Sequence, residues 1–325
     1  MSTSERPLIS ILTLCYNTGK YVIEALDCVK QQTYPNIQHI IIDDFSTDNS
    51  AALISEWIAK NNHNCIFIRN NKNKGIPSVF NSFMKIAQGK YATWISDDLW
   101  DKNRIQRSIE TFENLSENIG VLFGLMNVYK KNELNLEIIH PVKSLIASGY
   151  PYSDNLFRND NTVSIIDKKQ IKQALLWRCF IPAPSVTIRR IVFHKIGQYD
   201  ESLSIEDFDY WLRTAEKFDF AFLPEITATY RLHETNFTSG LDEKYINSII
   251  LTLKKHINYE DKELKKIAWR HIREEIFRIA IIASEKRNTK KAIKYFASYI
   301  SYANFSFVSF KESIKIILSI IKSMF

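Results

Sequence analysis

A chain of 325 residues, 45% hydrophobic and 24% charged, can bury a full core, and its 8 glycines and 8 prolines exclude a long low-complexity tract. An excess of 43 Lys and Arg over 36 Asp and Glu gives a net charge of +7. That balance favours anionic partners and leaves nucleic acid, a phosphorylated ligand and an anionic membrane to be separated.

The four cysteines, Cys15, Cys28, Cys65 and Cys179, form no C-x-x-C pair, so buried reduced thiols are expected and structural zinc is not. No stretch offers about 18 uninterrupted apolar residues, and no membrane span is expected. Met1 to Pro7 lacks the basic and apolar parts of a signal peptide, which makes the cytoplasm the expected compartment.

In chain order, Leu8 to Leu14 is an apolar run closed by Cys15-Tyr16-Asn17-Thr18-Gly19, and a helical pattern follows through Tyr21, Val22, Ala25, Leu26 and Val29. Ile37 to Ile42 repeats the design, ending in Asp43-Asp44-Phe45-Ser46 before a helix from about Ser50 to Ala59. A third unit runs from Cys65 to Ile68 and through Lys74-Gly75 into a helix, and Tyr91 to Ile95 supplies the next strand. Strands alternating with helices of this length predict a mostly parallel sheet with helices on both faces. Polar clusters recur at the strand tips and are expected to face one crevice.

After Asp98 the pattern predicts a helix from Lys102 to Leu115 and a strand at Gly120 to Phe123. Residues 130–178 read as loops and short helices over the cleft. Pro184 to Ile188 follows as ordered chain, Ile205 to Arg213 reads as a helix, and Phe218 to Leu223 and Ile226 to Tyr230 read as two strands. From Asp242 the apolar spacing becomes helical, giving an appendage. Its end, Phe307 to Phe325, mixes Ile and Phe with Lys311, Lys315 and Lys322, a composition for a helix on a membrane surface or one packed on protein.

The chemistry concentrates in carboxylate pairs. Asp43/Asp44 and Asp97/Asp98 each end a core-type strand, and Glu206/Asp207 opens a helix. Adjacent anions at the end of a buried strand are unfavourable unless a metal, an Arg or Lys, or a helix N-terminus faces them. A cap or helix-dipole role accounts for any single pair. Mg²⁺ or Mn²⁺ takes one or two protein carboxylates and completes its shell with phosphate oxygens and water. A further carboxylate in the cleft can then deprotonate an attacking hydroxyl.

At these residues the chain resembles the GT-A glycosyltransferases of family 2, of the bacterial polysaccharide and O-antigen type. Members use nucleotide-sugar donors and invert the anomeric centre. The matching pieces are Pro7 to Asn17, Gln31 to Pro35, Ile41 to Asp48, Lys74-Gly75 with Asn81, Gly89 to Tyr91 and Ile95 to Asp98. Val192 to Asp200, Glu206 to Arg213 and Tyr230 to His233 continue the match, which spans about residues 7–236.

The resemblance implies a GT-A domain over residues 1–240, with a nucleotide-sugar half (1–125) and an acceptor half (126–240), followed by a helical region over 241–325. It implies that Leu14, Tyr16, Asn17 and Asn81 contribute to donor binding and that Asp44 accepts a hydrogen bond from the base, as suits the N3–H of uracil. Asp97 and Asp98 would form the DXD-type metal motif. Here the place of its first Asp is taken by Ile95, so either Asp97 or Asp98 holds the metal while the other binds sugar or ribose. Asp207 is the choice for general base, with Glu206 second. His233 matches a position contacting metal or diphosphate, and Arg231 and Lys74 are positive partners for the diphosphate.

The implied cofactor is Mn²⁺ or Mg²⁺, the donor a UDP-sugar, and the acceptor a glycan or lipid-linked oligosaccharide. A homo-oligomer is allowed, and 307–325 suggests peripheral contact with the inner face of the membrane. Nucleotidyl transfer, glycoside hydrolysis with two carboxylates, and non-catalytic sugar-nucleotide binding are the competing readings. Nucleic-acid binding is disfavoured because Lys and Arg are dispersed.

Overall fold

The computed structural model describes residues 6–130, 137–152, 156–158, 162–233, 243–258 and 260–301. Its first half is built as β1 (Ile9–Cys15), α1 (Val22–Lys30), β2 (Ile37–Asp43), α2 (Ser50–Asn61), β3 (Ile66–Arg69), α3 (Ile76–Ile86) and β4 (Tyr91–Ile95). Apolar side chains occupy both faces of these strands: Ile9, Ile11 and Leu12 of β1 are fully buried, as are Ile40, Ile41 and Ile42 of β2. Continuous apolar runs of this kind suit a parallel sheet covered by helices on both sides.

Register fixes where the polar tips fall. Cys15 pairs with Asp43 across β1 and β2, and Thr13 pairs with Ile95 across β1 and β4. All three strands therefore end side by side, and the residues after them share one rim. Gly89 makes the return to β4 feasible, since an added Cβ would lie 2.5 Å from the Ser10 backbone nitrogen.

The second half contains β5 (Leu99–Trp100), α4 (Arg104–Glu113), β6 (Ile119–Lys130), β7 (Glu137–Ile139), α5 (Pro141–Ala147), β8 (Ser164–Ile166) and α6 (Lys168–Trp177). β9 (Thr187–Arg189), α7 (Ile191–Ile196), α8 (Glu206–Thr214) and β10 (Asp219–Leu232) follow. The sheet runs β3-β2-β1-β4-β9-β6-β10-β5, with β7 on β6 and β8 on β10. The mostly parallel expectation holds for β3 to β4. Beyond them β9 pairs antiparallel with both neighbours, while β6 and β10 pair parallel.

Two buried arginines hold this junction. Arg104 donates to Thr93 Oγ1 and to the Pro184 and Val186 carbonyls, each at 3.0 Å, and stacks on Trp100. Arg189 donates to the carbonyls of Ile119, Phe112 and Leu115. Each replaces lost hydration with several fixed acceptors, which is what keeps a buried guanidinium tolerable.

One expectation changes. The strands foreseen at Phe218 to Leu223 and Ile226 to Tyr230 are one strand, β10, with register shifts between Leu223 and Ala228. Pro224 cannot donate to the ladder, and a bulge absorbs it without ending the strand. The segment read as loops and short helices does contain short helices, among them α6, ten residues capped by Asp167, whose carboxylate accepts from the Lys169 and Gln170 amides. Its Ile171, Ala174, Leu175 and Leu176 are fully buried in the main core.

The appendage is α9 (Glu243–Lys255), α10 (Lys262–Glu285) and α11 (Thr289–Ser301). Ile246, Leu253 and Ile272 bury in the same cluster as Phe208 and Trp211 of α8, so these helices extend the body's core. No described helix is long and apolar enough to cross a membrane. The stretch 307–325 lies outside the described residues.

Candidate active site

The rim of strand ends opens on a cavity of about 620 Å³. Its wall includes Leu14, Tyr16 and Asn17 after β1, Asp44 after β2, Asp97 and Asp98 after β4, Glu206 and Asp207 at the start of α8, and His233 after β10. Acidic residues up to 163 positions apart in the chain thus meet in one pocket, as the motif reading required.

Loop by loop, the backbone explains the placement. Asn17 adopts a left-handed conformation (φ 54°), which short polar side chains tolerate, and its Oδ1 accepts from the Thr47 and Asp48 amides. This staples the loop after β1 to the loop after β2. Phe45 is also left-handed (φ 67°), a position better suited to glycine, so its bulky side chain carries backbone strain. Asp43 turns inward and is spent on Ser46 and Arg69.

Asp44 is buried and highly engaged. Its carboxylate accepts from Asn70 Nδ2 at 2.7 Å, from the Lys74 amide at 3.0 and 3.1 Å, and from the Gly75 amide at 2.8 Å. These bonds fold the loop that carries Asn73 and Gly75 to the pocket wall. Lys74 therefore contributes its backbone to Asp44, while its side chain is exposed and outside the lining. Asn81 is also away from the wall: it donates to the Tyr199 carbonyl and Glu201 and accepts from the Tyr199 amide.

Asp98 is 6% exposed, and burial followed by the charge of Asp97 pushes its carboxyl up to about 8. The Arg231 amide donates to Asp98 Oδ1 at 3.1 Å. Asp97 Oδ2 lies 2.7 Å from His233 Nε2, and the His233 ring stacks on Tyr21 at 4.6 Å. Arg231 sends its guanidinium to Glu24 Oε2 (2.7 Å) and the Asp97 carbonyl (3.1 Å), and sits over Tyr21. Its place is behind the acidic pair as a brace, and it is absent from the pocket lining where a diphosphate partner would stand.

Glu206 and Asp207 occupy the first turn of α8, which has no side-chain cap. Burial raises both carboxyls above their ordinary range; Asp207's charge raises Glu206 further, while the Phe208 amide, donating at 2.7 Å, partly offsets the rise at Asp207. Two neighbouring carboxyls in this setting hold a proton near neutral pH and titrate as a pair. The third acid of the helix, Asp209, is fully buried and bound by Arg213, Lys255 and His256, which fixes α8 against α9. Phe80, Trp94 and Tyr199 form an aromatic flank, whereas Trp100 and Trp211 are core.

A divalent cation fits this donor set. Asp98 and Asp97 present hard oxygens whose mutual repulsion a cation would relieve, and His233 adds a nitrogen beside them. Among the described residues no three side chains form a ready-made metal cage. Mg²⁺ and Mn²⁺ sites need none when phosphate oxygens complete the shell.

Residues 10–196, more than half of the chain, match the family profile described as glycosyl transferase family 2. The chain belongs to this family of glycosyltransferases. A Rickettsia bellii protein described as an uncharacterized glycosyltransferase is 30% identical over 209 residues. That alignment covers 64% of this chain and 27% of the relative, so the chain spans about a quarter of that relative's length.

The fold matches S. aureus TarS 1–349 in complex with UDP-GlcNAc at TM-score 0.63 and 15% identity, covering 91% of this chain and 81% of that one. It also matches the mannosyltransferase PcManGT from Pyrobaculum calidifontis, in complex with GDP-Man and Mn²⁺, at TM-score 0.58 and 12% identity, covering 99% and 88%. These likenesses establish the GT-A fold of the family 2 chain.

Tyr21, Glu24 and Tyr199 join the functional surroundings without having been singled out in the sequence. Tyr21 belongs to a helical repeat that reads as packing and Glu24 lies outside it, and their service to His233 and Arg231 spans more than 200 residues.

Proposed function

We propose that the protein is a metal-dependent, inverting glycosyltransferase that moves a sugar from a UDP-sugar to a hydroxyl of a glycan or lipid-linked oligosaccharide. The observation that carries this reading is the single cavity lined by Asp44, Asp97, Asp98, Glu206, Asp207 and His233. Tyr16, 46% exposed at the rim, offers a face for the base, and Asn17, Asp44 and Gly75 shape the wall beside it.

Asp97, Asp98 and His233 would hold Mn²⁺ or Mg²⁺. When bound, the cation supplies charge neutralisation for the departing nucleoside diphosphate. Arg231 keeps the Asp97 backbone and the Asp98 carboxylate in place, so the donor's anionic end meets a preset surface. Asp207 accepts the acceptor's proton. Its raised basicity brings it closer to the task than an exposed aspartate would be. Glu206, holding the pair's proton, keeps the net charge beside it at one.

Peripheral membrane contact through 307–325 belongs to the same reading and is tested by recovery of the truncated chain in membrane fractions. The central test is release of UDP from a panel of nucleotide sugars with candidate acceptors, with and without Mn²⁺ or Mg²⁺. Metal-dependent release that Asp207→Asn lowers while sparing donor binding is expected. Undiminished turnover in Asp207→Asn would move the base to Glu206, and absence of release from every donor would end the proposal.

A further inference from the structure

The elbow between α10 and α11 gathers charge that the donor pocket does not use. Lys286, Arg287, Lys290, Lys291 and Lys294 cluster along this stretch, outnumbering Glu285 and Glu243. Lys291 is spent on Glu243, which also accepts from the Tyr295 hydroxyl at 3.0 Å. A cavity of about 530 Å³ opens at this point, lined by Glu243, Asn288, Lys290, Lys291, Lys294 and Tyr295. Lys286, Arg287, Lys290 and Lys294 are all exposed.

The helix beyond the elbow has two unlike faces. Ala292 and Tyr299 of α11 are buried, whereas Ile293 and Ile300 are 50% and 40% exposed. Lys290, Ile293, Ala297 and Ile300 recur at helical three- and four-residue steps, with Lys294 four residues after Lys290, so cations and aliphatic groups share one outward stripe. Lysine stems can lie along such apolar surface with their ammonium groups directed away from it.

We propose that the α10–α11 elbow docks the protein on an anionic bilayer surface. Lipid phosphates would meet the lysines while the isoleucines enter the headgroup boundary. Single-stranded nucleic acid fits less well, because its grooves combine cations with exposed aromatic rings and the exposed apolar groups here are aliphatic. The assignment is independent of the sugar chemistry: none of these residues lines the donor pocket. It also concerns a surface other than 307–325.

The test is co-sedimentation of the full chain with phosphatidylcholine vesicles, with and without phosphatidylglycerol, at low and physiological salt. Binding is expected only with the anionic lipid and should weaken with salt. The triple variant Lys286→Glu/Lys290→Glu/Lys294→Glu should bind at least about 10-fold less, and Ile293→Ser about threefold less. A Lys→Gln triple variant serves if charge reversal impairs folding, with thermal melting as the check. Nucleotide-sugar turnover on a soluble acceptor should be unchanged in all of them. A chain lacking 307–325 should retain the part of binding that the lysine variants abolish. Equal binding by wild type and the Lys→Gln variant, equal binding to neutral vesicles, or no binding of the wild type would each overturn the proposal.

Discussion

Asp97 and Asp98 stand among donors: the Arg231 amide on one, His233 on the other, and the Arg231 guanidinium on the backbone between them. Glu206 and Asp207, in the wall of the same cavity, have the first turn of α8 for company, with the Phe208 amide as the donor to Asp207. Both pairs consist of adjacent carboxyls, so their difference lies in the surroundings. Burial and the charge of Asp97 push Asp98 up to about 8, so the first pair becomes fully anionic when a cation lies against it, and the fixed donors hold it in place for that. Glu206 and Asp207 are also raised but have few donors around them, which suits a pair that takes up and releases a proton.

Substitutions can separate the two pairs. The largest effect is expected from Asp207→Asn, which removes the proposed proton acceptor and should lower kcat by about 10²–10⁴-fold with donor affinity retained, measured by steady-state kinetics and calorimetric titration. Asp98→Asn should act through binding instead, weakening metal-supported donor affinity by about 100-fold, as ligand loss costs at least as much as loss of an outer-shell partner. If both variants lost only kcat, the division of labour would be wrong.

A smaller effect should follow Arg231→Lys. An ammonium cannot reproduce the forked contact with Glu24 and the bond to the Asp97 carbonyl, so metal affinity should fall about 10-fold with the melting profile little changed.

Glu206→Gln sharpens the other side. A carboxyl raised by burial and by Asp207 takes up a proton on folding, so wild-type stability falls as pH rises from the ordinary carboxylate range through the raised value. Glu206→Gln lacks that slope. Its urea midpoint should match the wild type near about pH 4 and gain on it increasingly toward about pH 8.

The smallest effect is expected at Phe45→Gly, where relief of left-handed strain outweighs glycine's unfolded-state entropy by about 0.5 kcal/mol, read from the same urea curves.

The sequence made the first half legible because each unit there is local: an apolar run, a polar tip, a helix. The tips share a rim because their strands pair in parallel register, so motif spacing translated directly into Tyr16, Asp44 and Asp98 around one cavity. Asp207 and His233 were legible only as motifs, since their arrival depends on β9 and β10 crossing into the sheet. Arg231 was misplaced as a diphosphate partner because charge in a sequence does not reveal its nearest anion, and Glu24 lies on a distant helix. Lys74 and Asn81 show the same limit: their matching positions are spent on the Asp44 loop and on Tyr199. Helix α6 was legible as a short helix of its segment but not by its bounds, because lysines dilute its apolar face, although Asp167 marks its start.

The Arg231–Glu24 contact joins residues 207 positions apart. A growing polypeptide therefore has Tyr16, Asn17 and Asp44 in hand long before Arg231 is made, and bringing Arg231 to Glu24 carries the closure entropy of that whole span. Nascent chains halted before Arg231 would carry the recognisable family signature and still lack the brace, so the signature and the completed acidic site are separate events in the life of the molecule.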